Sequence, residues 1–366
     1  MADAGPLAGF TVAVTAERRR EELAALLERR GARVVVAPAI TIVPLGDDEA
    51  LLHATEACVG LAPDIVIATT GIGFRGWLEA AEGWGMGDTL RAALGRARLI
   101  ARGAKPCGAI RAADLTEEWS AATESSEEIL ERLLSQGIAG RRIAVQLHGG
   151  PQAEFTAALR AAGAAVVEVP VYRWTLPPDP APVRRLVGQL VAGQVDAVTF
   201  TSAPAVQALL DIAADAAGEV LDRFRGRTLA ACVGPVTAAS LVEQRVPVVT
   251  PHRSRLGALV KVVTDELPRR AVRLAVAGEE LEIRGHAVLV GGRLQTLAPA
   301  AMAILGALAA RPGAVVSKDR LAEALPRGTD GHAVDVAIAR LRTALGGGGH
   351  IETVIKRGYR LRVDEQ

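Results

Sequence analysis

The sequence has few aromatic residues and few cysteines. Phe, Trp and Tyr make up 3% of the 366 residues although 50% are hydrophobic, so the cores must be built from Ala, Val and Leu. Cys58, Cys107 and Cys232 are isolated in the chain. This spacing excludes a paired-cysteine metal site, argues against a disulfide framework and predicts a reducing, cytoplasmic environment. We expect no bound metal.

Long apolar runs and a leader segment are also missing. No hydrophobic stretch reaches the roughly eighteen residues that a membrane-spanning helix needs. The first ten residues, MADAGPLAGF, contain neither a basic region nor an apolar region of the signal-peptide type. We therefore expect no membrane partner. The length of the chain allows two or three domains.

The net charge of +1 hides an uneven distribution. Residues 268–366 contain 15 Lys and Arg against 10 Asp and Glu, a net of +5, whereas residues 1–267 contain 27 against 31, a net of −4. A basic end on a mildly acidic body is typical of a nucleic-acid-binding domain attached to a second function. A net of +5 predicts weak, salt-dependent binding by one copy. We therefore expect a homodimer, or a co-regulator or RNA polymerase at the promoter.

The C-terminal pattern predicts a winged helix-turn-helix. Apolar periodicity gives helices at 299–310, 317–325 and 331–345, followed by a strand, a basic turn and a strand. On the third helix an apolar stripe through Val334 and Leu341 leaves a mixed polar face opposite it, of a kind that suits base edges and phosphates. The basic turn can reach phosphate or a minor groove. The predicted DNA-binding residues are His332, Val336, Arg340, Arg342, Thr343, Lys356 and Arg357.

Over about residues 275–363 this pattern resembles the C-terminal effector domain of the OmpR/PhoB class of response regulators. The matching segments are VDVAIARLRTAL at Val334 to Leu345 and IETVIKRGYRL at Ile351 to Leu361. Ala298 stands where a threonine N-cap is usual, which costs the first helix about 1 kcal/mol. The turn before the third helix also lacks a tryptophan often found there. The resemblance implies double-stranded promoter DNA as a partner and a role in transcription.

The body of the chain, from Phe10 to Leu267, alternates short strand-like and helical segments. This order predicts an α/β fold with parallel sheets covered by helices. Two longer strand-like runs, Ala32 to Leu45 and Ala164 to Pro177, predict that the chain crosses to a second lobe and returns through a two-stranded linker. We expect lobe one at 1–40 and 172–267, lobe two at 41–171, and the winged-helix domain at 268–366.

Hydroxyl groups and glycines follow several strands of the body, immediately before helices. Helix N-termini at the carboxyl ends of parallel strands bind anions, so we expect a polycarboxylate or phosphate ligand there. The alternative is that the Thr and Ser residues only cap helices. The predicted ligand-binding residues are Thr15, Thr69, Thr70, Gly71, Gly103, Thr201, Ser202, Gly234 and Thr237.

Two other functions fit less well. Gly71 to Gly76 matches the G-x-G-x-x-G pattern of dinucleotide sites, but the next strand ends in Arg102 where an acidic residue would hold the ribose. We therefore expect no nicotinamide cofactor, although an NADP-dependent enzyme stays open as a third hypothesis. A phosphoacceptor receiver needs an acidic pair after the first strand and an Asp after a central strand, and neither is present.

Residues 8–267 resemble uroporphyrinogen-III synthase through the segments VAVT, ATTGIG, FTSAPAV and VGPVTA. The resemblance implies a two-lobed fold and the closure of hydroxymethylbilane to uroporphyrinogen III without cofactor or metal. It also implies a catalytic role for Tyr172, whose phenol would assist departure of the substrate hydroxyl. Packing between lobes is the alternative role. Glu17 and the loop TTGIG depart from the usual synthase residues and leave catalysis open.

Synthase-like bodies joined to this type of winged helix resemble regulators of nitrate and nitrite assimilation in high-GC bacteria. Nitrite reductase uses sirohaem, which derives from uroporphyrinogen III. The first hypothesis is therefore a transcriptional regulator whose body senses a tetrapyrrole or supports assembly on DNA. The second is an active synthase with an appended DNA-binding domain.

Overall fold

The computed structural model describes residues 5–44, 49–149, 152–325, 332–347 and 349–364. The chain forms two compact units. Unit 1 comprises Met1–Ile40 with Pro177–Gln366, and unit 2 comprises Thr41–Leu176. The return to unit 1 therefore lies at Pro177, five residues later than the predicted start at residue 172.

The elements alternate along the body as a β-α-β order requires. Up to residue 176 they are β1 (Thr11–Val14), α1 (Arg20–Glu28), β2 (Arg33–Val36), β3 (Thr41–Pro44), α2 (Glu49–Gly60), β4 (Ile65–Ala68), α3 (Gly71–Gly83), α4 (Gly87–Arg96), β5 (Arg98–Ala101), α5 (Ala104–Arg111), β6 (Trp119–Ser120), α6 (Ser126–Gln136), β7 (Arg142–Gly149), α7 (Ala153–Ala161) and β8 (Ala165–Thr175). Those of the returning body are α8 (Ala181–Val191), β9 (Ala197–Phe200), α9 (Ala203–Ala213), α10 (Ala217–Arg225), β10 (Leu229–Cys232), α11 (Pro235–Glu243), β11 (Val248–Val249) and α12 (Leu256–Glu266).

The C-terminal region follows with short strands, helices and a hairpin. Its elements are β12 (Val272–Val276), β13 (Glu279–Arg284), β14 (Ala287–Val290), β15 (Arg293–Thr296), α13 (Pro299–Ala309), α14 (Lys318–Glu323), α15 (His332–Ala344), β16 (Ile351–Val354) and β17 (Gly358–Leu361).

Unit 1 contains a parallel sheet in the order β11-β10-β9-β1-β2. The strands β1, β9 and β10 are buried along their whole length, which explains their continuous apolar sequence. The predicted long strand at 32–45 is wrong, because it is divided between the two units as β2 and β3. The amides of Ala37 and Ala39 still bond to Val14 and Thr15, but Pro38 between them has no N–H to donate.

Unit 2 contains a sheet in the order β3-β8-β7-β4-β5-β6, parallel except for β3, which runs antiparallel to β8. The second predicted long strand is present as β8. Apolar clusters cover both faces of the sheet, one around Phe74 and Trp77 and the other around Ile129 and Leu133. The predicted α/β class with parallel sheets is confirmed.

The C-terminal part of unit 1 is a winged helix-turn-helix, as predicted. The antiparallel sheet β12-β13-β14-β15 precedes the helices α13 to α15, and β16 pairs with β17 as the wing hairpin. On α15, Val334, Ile338 and Leu341 are almost fully buried in the core of this domain. Among the described residues, no helix combines the length and the apolar character that a membrane crossing requires.

Candidate ligand site and nucleic-acid interface

The predicted ligand residues of unit 1 lie at one edge of its sheet. Because β10, β9 and β1 are neighbours and parallel, the residues that follow them come together: Gly234 after β10, Thr201 and Ser202 after β9, and Thr15 after β1. Ser202 and Gly234 are the N-cap residues of α9 and α11, and neither supplies a side-chain cap. The first-turn amides of these helices therefore suit an anion. Thr237, in the first turn of α11, is 5% exposed.

Two predicted hydroxyl donors are used inside the fold instead. Thr15 is fully buried, and its Oγ1 donates to the carbonyl of Thr199 at 2.9 Å. Thr69 is 2% exposed, and its Oγ1 donates to the carbonyl of Gln146 at 2.9 Å. A hydroxyl has one proton, so neither can donate to a ligand carboxylate in this arrangement. Each hydroxyl closes a gap between neighbouring strands, and the ligand-binding role of Thr15 and Thr69 stays a prediction.

In unit 2 the hydroxyl of Thr70 is positioned by a buried amide. Thr70 is the N-cap of α3 and accepts from the amide of Gly73 at 3.2 Å. It also accepts from Nε2 of Gln146 at 2.8 Å. Because both acceptor positions of Thr70 are occupied, its own proton points elsewhere and is suited to an acceptor on a ligand.

Sequence reasoning missed Gln146. It lies in the middle of β7 and is fully buried, and its amide also donates to the carbonyl of Thr70 at 3.2 Å. The available signal was a single polar residue inside the apolar run IAVQL. A buried polar side chain needs a partner, so such a residue indicates a fixed hydrogen-bond network.

The glycines of the G-x-G-x-x-G segment are explained by packing. A Cβ on Gly71 would stand 2.5 Å from the carbonyl oxygen of Lys105, and one on Gly73 would overlap the Gln146 amide and lie 2.5 Å from Cγ2 of Val171. A Cβ on Gly76 would meet nothing within 4 Å. The first two glycines therefore let α3 approach α5 and β7.

Arg102 and Tyr172 form the charged part of the unit 2 site. Arg102 follows β5, and its amide donates to the carbonyl of Ala68 at 2.9 Å. Burial lowers the pKa of Arg102, while attraction to Tyr172, Glu124 and Glu127 acts in the opposite direction. Tyr172 itself is half-buried against the unit's apolar core. The phenol thus has both a packing contact and a nearby cation, so the structure accommodates either predicted role.

An acidic side chain lies over the start of α5. Gly103 is the N-cap of α5, and Cγ of Glu124 is 2.7 Å from where a Cβ on Gly103 would stand. Glu124 adopts φ = 58°, a left-handed conformation that is uncommon for residues other than glycine. A carboxylate in this position is favourable to the helix N-terminus but disfavours a ligand anion there. Glu124 would therefore compete with a ligand anion for the helix N-terminus at Gly103.

The predicted DNA-binding residues are divided between the third helix and the wing. Val336 is 38% exposed, and Arg340 and Thr343 are exposed on the same helix. Lys356 and Arg357 are exposed at the turn between β16 and β17. The side chain of His332 lies outside the described part of the chain.

Arg342, also predicted to bind DNA, contacts the wing. Its guanidinium donates to the carbonyl of Ile351 at 2.9 Å and to Oγ1 of Thr353 at 2.7 Å, and it lies 5.7 Å from the centre of the Tyr359 ring. These contacts join α15 to the wing. Arg342 therefore positions the wing through Nε and Nη2, and its role in DNA binding stays a prediction.

A second contact fixes the same corner of the domain. The phenol of Tyr359 donates to Oδ1 of Asp335 at 2.8 Å, and Lys318 pairs with that carboxylate oxygen at 2.7 Å. Burial raises the pKa of Tyr359, and so does its bond to Asp335. In the part of the chain that is described, no three His, Cys, Asp or Glu side chains gather as a metal site would require.

Comparison with known protein families also separates the body of the chain from its C-terminal domain. The protein-family model described as Uroporphyrinogen-III synthase HemD matches residues 21–261. The chain belongs to the uroporphyrinogen-III synthase HemD family. A second model, described as Transcriptional regulatory protein, C terminal, matches residues 292–361. The HemD-family body is thus joined to a DNA-binding domain of the OmpR/PhoB type.

Individual relatives cover the HemD-family body. The chain is 32% identical over 257 residues to the uncharacterized protein YjjA of Bacillus subtilis, covering 69% of this chain and 94% of that protein. It is 33% identical over 129 residues to a putative uroporphyrinogen-III synthase of Methanothermobacter thermautotrophicus, covering 35% and 51%. A mutant uroporphyrinogen III synthase structure from the bacterium Thermus thermophilus has a TM-score of 0.60 at 30% identity, covering 71% of this chain and 99% of that one.

Proposed function

We propose that this protein is a transcriptional regulator whose HemD-family body binds a tetrapyrrole and whose winged helix binds promoter DNA. The proposal rests mainly on the exposed helix face of Val336, Arg340 and Thr343, together with the basic wing turn, on the same chain as a HemD-family body. The gene targets that fit are those of nitrate and nitrite assimilation or of tetrapyrrole supply, because sirohaem derives from uroporphyrinogen III.

Binding without turnover is supported by the way the body uses its polar groups. Thr15 and Thr69 donate their hydroxyl protons to strand carbonyls, and Glu124 lies against Gly103 at the start of α5. A polycarboxylate substrate would gain fewer donors and meet one additional negative charge. Ligand binding then depends on Thr70, Arg102 and the helix N-termini after β9 and β10.

An active synthase is the second candidate function. It is favoured by the proximity of Arg102 and Tyr172, because a guanidinium stabilises negative charge that develops on a phenol donating its proton. In that case the protein would make uroporphyrinogen III as well as bind DNA.

A turnover assay with freshly prepared hydroxymethylbilane separates the two candidates. The type III product must be resolved from the type I product that forms spontaneously. We expect only type I product from the wild-type chain. Type III product that disappears in Tyr172→Phe and persists in Tyr359→Phe, the matched change at the other tyrosine, would establish the synthase.

DNA recognition is tested by selecting binding sites from a random pool of double-stranded DNA. We expect Arg340→Ala combined with Arg357→Ala to abolish selection, because both cations lie on the proposed DNA-binding surface. Arg311→Ala, an exposed arginine beyond the C-terminal end of α13, is the control and should select the same sites. Equal enrichment by all three proteins would contradict the assignment of this surface.

A further inference from the structure

Within unit 1, the buried side chain of Arg284 joins the DNA-binding domain to the start of the body. Arg284 ends β13 and is 8% exposed. Its Nη1 donates to the carbonyl of Ala8 at 2.9 Å, and its guanidinium lies 5.3 Å from the centre of the Phe10 ring. Glu282 holds the same guanidinium through Nε at 2.8 Å. A buried, charge-assisted arrangement of this kind fixes geometry more firmly than a surface ion pair does.

Backbone contacts continue this junction on both sides of Arg284. The amide of His286 donates to the carbonyl of Gly9 at 2.9 Å. Gly9 has φ = +88°, and a Cβ there would stand 3.0 Å from Cβ of Ala287, so the close approach depends on glycine. We call the set formed by Arg284, Gly285 and His286 with residues 8–11 and Asp196 the docking contact.

Asp196 links the docking contact to the sheet of the body. One of its carboxylate oxygens accepts from the amide of Thr11 at 2.7 Å. The same carboxylate lies so close to Gly285 that a Cβ on Gly285 would overlap it. Asp196 is therefore enclosed between the first strand of the body and the β13–β14 turn of the DNA-binding domain. A shift of Gly285 would therefore displace the Asp196 carboxylate from the Thr11 amide, and a shift of Thr11 would displace it from Gly285.

The strands that begin at this contact end at the candidate ligand site. β1 starts at Thr11 and is followed by Thr15, and β9 starts directly after Asp196 and is followed by Thr201. Both strands are four residues long, about 13 Å at the usual rise, and are buried throughout. Short buried strands transmit displacement because packed cores deform little.

We infer that the docking contact couples the ligand edge of β1 and β9 to the DNA-binding domain, so that DNA and a ligand at that edge each alter the affinity of the other. The inference rests on the proposed function for the identity of the ligand, but the coupling itself is a property of the fold. Coupling is reciprocal, so it can be tested with DNA alone.

The test is hydrogen exchange of the full-length protein, followed by mass spectrometry of its peptides, with and without saturating double-stranded DNA at low salt. Arg284→Met keeps most of the side-chain volume and removes every donor. Arg293→Met is the matched control, since Arg293 is exposed on β15 of the same sheet and lies outside the docking contact. Circular dichroism checks folding, and Arg284→Lys replaces Arg284→Met if that variant is not folded.

We expect Arg284→Met to speed exchange of peptides containing Thr11 and His286 by about tenfold, because opening the contact exposes their amides. DNA should slow exchange in peptides spanning 197–203 by about threefold in the wild type and the control, and have no effect in Arg284→Met. Unchanged exchange at Thr11 and His286, or a DNA effect that survives in Arg284→Met, would overturn the inference. Failure of the body to bind any tetrapyrrole would overturn the proposed function and leave this result standing.

Discussion

The side-chain amide of Gln146 donates a hydrogen bond of 2.8 Å to the hydroxyl of Thr70. This bond joins the middle of β7 to the N-cap of α3, and it occupies an acceptor position of the Thr70 hydroxyl. The orientation of the unit 2 site thus depends on a residue that lies in the core.

We predict that Gln146→Leu lowers the free energy of unfolding by about 1 kcal/mol, because the partly buried carbonyl and hydroxyl of Thr70 lose their donor. Denaturant unfolding followed by circular dichroism measures this. Gln207→Leu is the control, since Gln207 is exposed on α9 and bonds only to the exposed Asp211 among the described contacts. Equal effects of the two changes would show that Gln146 is dispensable.

Gly358 starts the second strand of the wing and has φ = +132°; a Cβ there would overlap the carbonyl oxygen of Val316. We predict that Gly358→Ala destabilises the DNA-binding domain by more than about 3 kcal/mol, since strain and overlap add. Gly346→Ala, also at positive φ but with open space around it, should cost about 1 kcal/mol. Thermal unfolding of both variants tests this, and similar melting temperatures would contradict it.

The stability of the protein should depend on the protonation of Asp196. Burial raises the pKa of Asp196 from 3.8 to about 6, opposed by the Thr11 amide and Arg227. Between these values the folded chain keeps a proton that the unfolded chain releases, so this contribution to stability is present at low pH and is lost as pH rises from about 4 to about 6.

The measurement is the free energy of unfolding of the wild type minus that of Asp196→Asn across this pH range. We expect the stability of the wild type relative to Asp196→Asn to decrease as pH rises. Asp211→Asn, at an exposed aspartate of the same unit, is the control. A flat difference for Asp196→Asn would show that its carboxylate titrates normally.

Arg342 and Arg340 are two residues apart on α15 but should behave differently. Arg342→Lys should cost about 1–2 kcal/mol of stability, because lysine cannot reproduce the planar contacts to Ile351, Thr353 and the Tyr359 ring. Arg340→Lys should leave stability unchanged and weaken DNA binding.

Unfolding curves and the salt dependence of DNA binding together distinguish the two arginines. For Arg342→Lys, the loss of affinity should accompany the loss of stability. The reverse pattern, a stable Arg342→Lys that binds DNA more weakly, would support the prediction that Arg342 contacts DNA directly.

Local sequence patterns predicted the architecture well. The 3.6-residue period of α15 separates Val334 and Ile338 from Val336 and Arg340, and continuous apolar runs mark the buried strands β1 and β9. These patterns are local because burial of one face requires a fixed repeat along the chain. The run at 32–45 was expected to cross between lobes after residue 40, where the two units also divide. Its break into two short strands was not predictable in this way, because β2 and β3 have similar composition and differ only in the strand that each pairs with.

The hydrogen-bond partners of the threonine hydroxyls could not be predicted from the sequence. Thr15, Thr69 and Thr70 all follow strands, yet the hydroxyls of the first two donate into neighbouring strands while that of the third accepts from Gln146, which lies seventy-six residues away from it. A hydroxyl rotates toward whichever acceptor is nearest, and that acceptor comes from a distant part of the chain.

The sequence by itself determined the fold class, the winged helix and its exposed recognition face, because periodicity and turn residues act over a few positions. Only the tertiary structure decided which polar groups remain for a ligand, that Arg342 holds the wing, and that Arg284 docks the DNA-binding domain on residues 8–11. Those decisions depend on contacts between segments far apart in the chain, where a single hydrogen bond or a missing Cβ selects one arrangement.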